Sequence, residues 1–463
     1  MPRFVNACQA IALAAGLSAF AGNTHAEETT PVTDDTHAWL EDVTGEKQLQ
    51  WVRTQNAKAE AEIAATPDFK QLESRILKML DSDAQIPYVQ KIGGHYYNFW
   101  KDSGHERGIW RRTTLEEFRK PNPAWETIID LDALNKAEGL ADDKKWVWHG
   151  ASCLRPEYTR CLVSLSRGGA DADVTREFDI DTRQWVKDGF FRAEAKGALG
   201  WKDADTVYVF TDFGPGSMTP SGYPRIVKEW KRGTPLSAAR VVYEGTNEDM
   251  YIAAYHDDTP GFERDFVSRT IAFYNDELYL RAADGSLRKI DVPNSVSKGV
   301  VREWLTLELR EAWEVGGKTY KAGSLLVTKF DDFMAGKRDF DVLFEPTDST
   351  SLAGATWTKN HVVLNVMDDV KNKLTVLTHG PSGWTRTPMP IGSLEFGTTS
   401  VGAVDADESD AVWLTVTDYL TPTTLMLAEA GGPPEAVEVM KTMPAFFDAS
   451  KHVVEQHFAT SKD

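Results

Sequence analysis

The sequence predicts an all-β protein, a seven-bladed β-propeller that follows a short helical segment. From residue 84 onward, short runs rich in Val, Tyr, Trp and Phe alternate with turns marked by Gly, Pro and Asp-Gly. Clusters of these runs recur about every fifty residues, which favours radial repetition of one sheet. The aromatic fraction of 11% agrees, because aromatic side chains fill the faces of packed sheets. Two β-sandwich domains are the alternative that the pattern leaves open.

The strand clusters divide residues 84–445 into seven units, which we interpret as blades. Their predicted bounds are 84–133, 144–188, 197–243, 250–293, 301–345, 351–391 and 397–440. In the second unit, turns separate four runs that predict four strands, namely Trp146–Ala151, Cys161–Ser166, Glu177–Asp181 and Gln184–Val186. Four strands in sequence order are typical of a propeller blade.

Residues 27–83 differ from the rest of the chain because their apolar residues have helical spacing. A first helix over 46–63 is predicted by one face with three- and four-residue spacing, which consists of Leu49, Val52, Asn56, Ala59 and Ile63. A second helix begins with Thr66 as N-cap and Pro67 at its first position. Its stripe consists of Phe69, Leu72, Ile76, Met79 and Leu80. Both helices need another surface to cover their apolar faces.

The N-terminus predicts an export signal over residues 1–26. Arg3 precedes an apolar core at Ala10–Ala21, and Thr24-His25-Ala26 provides a small-x-small cleavage site. We therefore expect a mature chain that begins near Glu27 and lies in the periplasm or outside the cell. No later run approaches the roughly 18 apolar residues that a membrane span needs, so a membrane is not a predicted partner.

The charge composition narrows the class of partner. With 51 Lys and Arg against 70 Asp and Glu, the formal net charge is −19. Such a surface repels phosphate groups, so neither nucleic acid nor an anionic lipid surface is predicted to bind. A neutral or cationic ligand fits this charge better.

Two cysteines remain after removal of the signal that contains Cys8. Cys153 and Cys161 flank a turn-like segment between two predicted strands, so they can face each other across a hairpin. A disulfide between them is possible in an oxidising compartment, and two buried thiols are an equally good interpretation.

No self-contained catalytic motif occurs in the sequence. The nearest approaches to a G-x-S-x-G nucleophile elbow are Gly150-Ala-Ser152 and Gly380-Pro-Ser382, and neither precedes a predicted helix. His105-Glu106 lacks the second His of a zinc-protease helix. We therefore predict no catalytic, cofactor-binding or metal-binding residue.

Acidic and glycine-rich segments are interpreted as turns. The pairs Asp171/Asp173 and Asp179/Asp181 are predicted to be solvated turn carboxylates, because no Asp-rich loop has the pattern of a calcium hand. Gly168-Gly169 and Gly214-Pro215-Gly216 precede strands, whereas a phosphate loop precedes a helix. A glycosidase pair of carboxylates is left open, since the distance between two acids is not visible in a sequence.

Segments spread along the chain match motifs of one known family. Asp35–Asp42 and Gln50–Asn56 contain Trp-Leu-Glu-Asp and Trp-Val-x-x-Gln-Asn. Further matches are Asp102–Gly104, Arg107–Arg111, Leu165–Ala172, Tyr419–Leu425, Ala445–Ser450 and Val454–Asp463. Together they resemble the prolyl oligopeptidase family of serine peptidases, in its secreted bacterial subset.

The resemblance implies an N-terminal helical segment, a seven-bladed propeller and a C-terminal α/β-hydrolase domain with a Ser-Asp-His triad. In the family, the helices pack on the hydrolase domain, and the propeller restricts access to short peptides, usually cleaved after Pro. We expect residues 27–83 to be the helical segment, 84–445 the propeller, and 446–463 a return strand toward a hydrolase domain that is missing from this sequence.

The resemblance therefore implies the N-terminal portion of a peptidase without its chemistry. The nucleophile, base and oxyanion donors belong to the hydrolase domain, so we expect no hydrolysis by these 463 residues alone. The expected partners are short peptide substrates and a separate hydrolase domain, and no cofactor is expected. The alternatives are a free-standing periplasmic propeller that binds peptides or partner proteins, and a glycan-cleaving propeller.

Overall fold

The predicted propeller is present in a computed structural model that describes residues 35–82, 84–389 and 397–462. The chain divides between residues 83 and 84 into two units, which are described in turn. The predicted signal over 1–26 lies outside the described residues.

The N-terminal unit consists mainly of two α-helices, α1 Glu46–Ala59 and α2 Pro67–Leu80. A single turn of 3-10 helix at Ala38–Glu41 precedes α1, and a π-helical turn at Glu60–Ala64 follows it. The predicted N-cap is confirmed, because the Thr66 hydroxyl oxygen accepts a hydrogen bond from the Phe69 amide at 3.3 Å. Neither helix has a buried residue, so this unit by itself does not cover either apolar stripe.

In the described part of the second unit, seven antiparallel sheets of four or five strands form the blades, and an eighth sheet is a two-stranded hairpin. Blade 1 contains β1 Gln90–Ile92, β2 His95–Asp102, β3 His105–Thr113 and β4 Glu126–Asp130. Blade 2 contains β5 Trp146–Cys153, β6 Arg160–Arg167, β7 Asp173–Asp179, β8 Gln184–Trp185 and β9 Phe191–Ala195. Blade 3 contains β10 Ala198–Asp203, β11 Thr206–Phe210, β12 Ile226–Lys231 and β13 Arg240–Glu244. Blade 4 contains β14 Tyr251–Asp257, β15 Arg264–Ala272, β16 Asn275–Arg281 and β17 Leu287–Lys289.

The last three blades follow the same order. Blade 5 contains β18 Ser297–Val301, β19 Trp304–Glu308, β22 Leu325–Lys329 and β23 Asp341–Phe344, and a separate hairpin of β20 Trp313–Val315 and β21 Lys318–Tyr320 lies between its second and third strands. Blade 6 contains β24 Thr350–Trp357, β25 His361–Asp368, β26 Lys371–Gly380 and β27 Gly383–Pro388. Blade 7 contains β28 Thr398–Ala403, β29 Ala411–Thr417, β30 Thr424–Glu429 and β31 Glu438–Thr442.

The order of strands defines two faces of the ring. In each blade the first strand pairs only with the second, the second with the third, and the third with the fourth. We letter the four strands of each blade A to D in chain order. The turns between A and B and the turns between C and D therefore lie at one face of the ring, which we call the AB face. The turns between second and third strands lie at the opposite BC face, together with the connections between blades.

The first strand of each blade is the innermost one. Strand β14 packs against β10, β11 and β12 of the preceding blade, and β28 packs in the same way against β24, β25 and β26. The first strands β10 and β14 also touch each other, as do β24 and β28, which agrees with first strands around the central channel of a propeller. Every blade comes from one continuous stretch of chain, so side chains rather than an exchanged strand join blade 7 to blade 1.

The hydrophobic core lies between neighbouring blades. Along β29, buried and half-buried residues alternate, so that Val412 and Leu414 pack against blade 6 while the opposite face of the sheet meets blade 1. The joint between blades 7 and 1 buries Phe118 of a short helix, and Trp413 packs edge-on against its ring. Burial of each such side chain contributes about 1.5–3 kcal/mol.

The short helices of the propeller are α3 Leu115–Arg119, α4 Leu131–Ala137 and α5 Phe330–Met334, and single 3-10 turns lie at Asp142–Lys144, Leu236–Ala238 and Pro434–Ala436.

The predicted seven blades are confirmed, and three details differ from the sequence prediction. The fourth strand of blade 2 is broken into β8 and β9, because Phe190 turns into the core between them. The hairpin β20–β21 was not predicted, although Gly316 and Gly317 have the positive φ values of a tight hairpin turn. Residues 446–462 form no strand, in contrast to the predicted return strand, since no described strand pairs with them.

Candidate functional site

Three of the sequence motifs that resemble the peptidase family lie at one end of the propeller. The turns at 102–104, 168–172 and 418–423 each connect the second and third strands of a blade, so all three lie at the BC face. They belong to blades 1, 2 and 7, which are neighbours across the ring closure. The structure therefore gathers motifs that are more than 300 residues apart in the chain.

The turn of blade 1 is organised by Asp102. One carboxylate oxygen accepts hydrogen bonds from the Gly104 amide and from His105 Nδ1, both at 2.9 Å, and the other accepts one from Trp100 Nε1 at 3.0 Å. Burial alone would raise the pKa of Asp102, but the hydrogen bonds outweigh burial and lower it. The role of this carboxylate is to fix the turn.

The motif that follows this turn contains a stacked arginine. The Arg111 guanidinium lies 4.5 Å from the ring centroid of Trp100 and 4.2 Å from that of Trp125. Burial lowers the pKa of Arg111 to about 10. Its Nε donates to Asn98 Oδ1 at 2.9 Å, so the group holds blade 1 together.

The turn of blade 7 presents an aromatic ring to solvent. Asp418 accepts hydrogen bonds from the amides of Leu420 and Thr421 at 2.8 and 2.5 Å, which fixes the turn. Tyr419, which lies between Asp418 and Leu420 in the chain, is 81% exposed. An ordered turn thus displays an apolar side chain.

Exposed large apolar side chains are distributed unequally between the two faces. At the tips of BC turns, Phe273, Tyr274, Val370 and Tyr419 are 78%, 61%, 72% and 81% exposed. Among the described residues, no AB-face turn carries an exposed large apolar side chain. Such one-sided exposure is typical of an interaction surface.

The aromatic pair in blade 4 is the largest of these apolar tips. The Phe273 and Tyr274 rings lie 6.5 Å apart at the turn between β15 and β16. Arg310 of blade 5 stacks on Tyr274 at 3.7 Å, so the tip is braced from the neighbouring blade. A rigid aromatic pair loses little conformational entropy when a partner covers it.

A cleft of about 300 Å³ lies between blades 6 and 7. Its lining is uncharged, with the Asn365 and Asn372 side chains on one wall and Thr399 and Ser400 on the other. Asn365 Nδ2 donates to the Thr399 carbonyl at 2.7 Å, which ties the two blades together. The chain after the propeller crosses nearby, because Gln456 Nε2 donates to the Asp369 carbonyl at 2.7 Å.

The N-terminal motif residues also contact one another within their own unit. Trp39 and Trp51 pack edge to face with centroids 6.3 Å apart, and Gln48 Nε2 donates to the Trp39 carbonyl at 2.5 Å. The matched motif thus packs the 3-10 turn onto α1.

The serines of the two near matches to a nucleophile elbow lie in a strand and in a turn of the propeller. Ser152 lies within β5, and its carbonyl accepts a hydrogen bond from Trp201 Nε1 at 2.9 Å. Ser382 lies in the turn between β26 and β27. In the described part of the chain, no cluster of three or more His, Cys, Asp or Glu side chains is placed to hold a metal ion. None of the described helices is long and apolar enough to cross a membrane.

Sequence reasoning misjudged two acidic residues. Asp179 ends β7, and its side chain is only 18% exposed and pairs with Arg160 at 3.1 Å. Asp173, expected to be a solvated turn carboxylate, is buried at the start of β7 and pairs with the fully buried guanidinium of Arg192. Arg192 also donates to the Ala195 carbonyl at 2.8 Å, and burial lowers its pKa. The partner lies on β9, which sequence reasoning did not predict. Asp171, by contrast, is exposed as predicted.

Cys153 and Cys161 are cross-strand partners and form a disulfide in the structure. We predict that alkylation under non-reducing conditions labels neither residue, and that both are labelled after reduction. Mass spectrometry of the intact chain distinguishes the two states by the mass of two alkyl groups. Two labelled thiols in the unreduced, unfolded protein would contradict the disulfide.

Glu277 predicts a pH-dependent contribution to stability. Burial alone would raise its pKa, but Lys289 and Tyr279, at 2.7 and 2.6 Å, together with Arg269 lower it to about 2. Because the folded-state pKa lies below the unfolded value of about 4.3, this stabilisation is present above that value and is lost as pH falls toward 2. Glu277→Gln should therefore reduce the urea midpoint at pH 7 and have little effect near pH 2. An equal reduction at both pH values would contradict this assignment.

The fold defines a class of protein: a seven-bladed β-propeller, here with exposed large apolar side chains at the tips of its BC turns. The sequence matches the family described as "Prolyl oligopeptidase, N-terminal beta-propeller domain" over residues 21–431. The chain therefore belongs to this family, as the motifs predicted.

Relatives and solved structures agree. The chain is 34% identical over 440 residues to an uncharacterized peptidase of Sinorhizobium fredii, covering 93% of this chain and 59% of that one. It is 28% identical over 445 residues to an uncharacterized peptidase of Rickettsia prowazekii, covering 92% and 60%. A post-proline cleaving enzyme from Rickettsia typhi superposes with a TM-score of 0.82 at 28% identity, covering 92% and 62%. The chain thus spans about three fifths of the length of these relatives.

Proposed function

We propose that this chain provides the N-terminal segment and the substrate-gating propeller of a serine peptidase that acts on short proline-containing peptides. The observation that carries the proposal is the one-sided exposure of Phe273, Tyr274, Val370 and Tyr419 at the BC face. We infer that this face docks on a hydrolase domain, which provides the nucleophile and its base.

Two features support docking at this face. The first strand of the propeller begins there and the last strand ends there, so the chain enters and leaves the propeller at this face. The segment after β31 carries further exposed apolar side chains, Phe446, Phe447, Val453 and Phe458. The exposed stripe of α2 provides a second apolar surface in the N-terminal unit.

Preference for proline is inferred from the relative described as a post-proline cleaving enzyme. The proposed gating role is supported by the ring-shaped fold, since a ring placed over an active site would exclude folded proteins and admit flexible peptides. These residues alone are proposed to be inactive.

The test mixes the purified chain with the C-terminal two fifths of the Sinorhizobium relative, the part that this chain does not match. Cleavage of a short chromogenic peptide after Pro is expected in the mixture, with slower cleavage after Ala and none by the chain alone. The control replaces the nucleophilic serine of the added portion by alanine. Hydrolysis by the chain alone would overturn the proposal, and peptide binding without any hydrolysis would favour the binding-module alternative.

We also propose that the protein is exported, on the basis of Arg3 and the apolar core Ala10–Ala21. Expression with the native N-terminus in a Gram-negative host is expected to yield a periplasmic chain that begins near Glu27. N-terminal sequencing checks this, and a cytoplasmic chain that retains residues 1–26 would contradict it.

A further inference from the structure

The AB face of the propeller carries an ion-pair cluster that reaches across the ring. Its centre is Arg155, in the turn between the first and second strands of blade 2. The Arg155 guanidinium lies 2.5 Å from Asp407 of blade 7 and 3.7 Å from Asp258 of blade 4. The side chain of Arg155 is only 13% exposed, so the cluster excludes water from most of it.

The positions of these blades place Arg155 over the channel. Blades 4 and 7 are three positions apart, which is the greatest separation that a ring of seven allows. One guanidinium that contacts carboxylates from both must lie close to the axis of the ring. All three residues follow innermost strands, so the contact lies at the AB mouth of the channel.

The loop 404–410 of blade 7 reaches over this mouth and is held by three more blades. Lys91 of blade 1 contacts Asp405 at 3.1 Å and also contacts Glu408. Arg302 of blade 5 donates to the Ala406 carbonyl at 3.1 Å.

Blade 6 holds the end of the same loop. Thr358 Oγ1 and the Asn360 amide donate to the Asp410 carboxylate at 2.6 and 2.7 Å. Residues of blades 1, 2, 5 and 6 thus hold the loop directly. Arg155, the residue of blade 2 that holds it, also contacts Asp258 of blade 4. A turn that only joined β28 to β29 would need none of these contacts.

We propose that loop 404–410 is a strap that closes the AB mouth of the channel, and that the ion pairs of Arg155 hold this strap in place. Any ligand then reaches the channel only from the BC face, and opening of the AB mouth requires release of Arg155 from Asp407 and Asp258. The inference concerns the propeller alone and does not depend on a hydrolase domain.

Hydrogen–deuterium exchange of the whole chain, read by mass spectrometry, tests the strap. Arg155→Ala should accelerate exchange about tenfold in loop 404–410 and in the blade 4 loop 258–263, because both lose the same partner. Asp407→Asn keeps the shape of the side chain and removes its charge, and it should accelerate exchange in loop 404–410 even if Arg155→Ala fails to fold.

The matched control is Arg119→Ala, which breaks an exposed ion pair to Glu438 at the outer side of blades 1 and 7. It should leave exchange in loops 404–410 and 258–263 unchanged. The proposal is overturned if exchange in loop 258–263 stays at the wild-type rate in Arg155→Ala, since Arg155 would then not span the channel, or if exchange in loop 404–410 stays at that rate in Asp407→Asn. Acceleration confined to Arg155's own loop, 154–159, would overturn it as well.

Discussion

Arg192→Ala is expected to lower the free energy of unfolding by about 3–5 kcal/mol, because it removes the buried guanidinium and leaves the buried Asp173 carboxylate with only one basic group, His149 Nδ1 at 3.2 Å, beside it. The measurement is urea denaturation followed by tryptophan fluorescence. The matched control is Arg240→Ala, which removes an arginine whose side chain is 79% exposed and whose partner is Glu229. That variant should lose about 0–1 kcal/mol.

A second variant separates the cost of an unpaired charge from the loss of packing. Replacing both partners, Arg192→Met with Asp173→Leu, removes the buried charges together and should recover part of the lost stability. If Arg192→Ala unfolds at the same urea concentration as Arg240→Ala, the pair between Arg192 and Asp173 does not contribute the expected stability to blade 2.

Replacing the aromatic pair of blade 4, Phe273→Ser with Tyr274→Ser, is expected to weaken binding of the hydrolase portion about 100-fold. Aromatic anchors in a rigid interface typically contribute about 2 kcal/mol or more each, and their effects are not fully additive. Binding of the C-terminal portion of the Sinorhizobium relative by isothermal titration calorimetry provides the measurement.

The control for this pair is Val241→Ser on the outermost strand of blade 3, where the side chain is 57% exposed but lies away from the BC turns. It should leave binding unchanged. Equal weakening by Val241→Ser, or unchanged binding by the double variant, would contradict docking at the BC face. The double variant should also keep the wild-type urea midpoint, because both rings are exposed.

Much of the fold could be predicted because its signals are local. The alternation of side chains along β29 and the capping pattern at Thr66 and Pro67 each lie within a few residues. Turn residues separate the strand clusters at nearly regular intervals, so the spacing predicts seven units, although it leaves two β-sandwich domains open. The Gly316-Gly317 pair was also a local signal and would have predicted the hairpin β20–β21.

The burial of Asp173 could not be predicted from its neighbours in the sequence. Asp173 belongs to a sequence that looks like an exposed turn, and its partner Arg192 lies 19 residues later. The two meet because the fourth strand of blade 2 breaks at Phe190 and resumes as β9. No spacing rule connects an acid to an arginine across such a break, since the break depends on core packing.

The sequence by itself determined the fold class, the number of blades, the helical start and the family, because strand period, turn chemistry and motif identity are properties of neighbouring residues. Only the tertiary structure decided which turns share a face and which charges meet. Arg155 and Asp407 are 252 residues apart and approach within 2.5 Å only because seven blades close into a ring. Closure of the ring is a property of all the interfaces between blades together, so the features that define its two faces emerge only in the folded molecule.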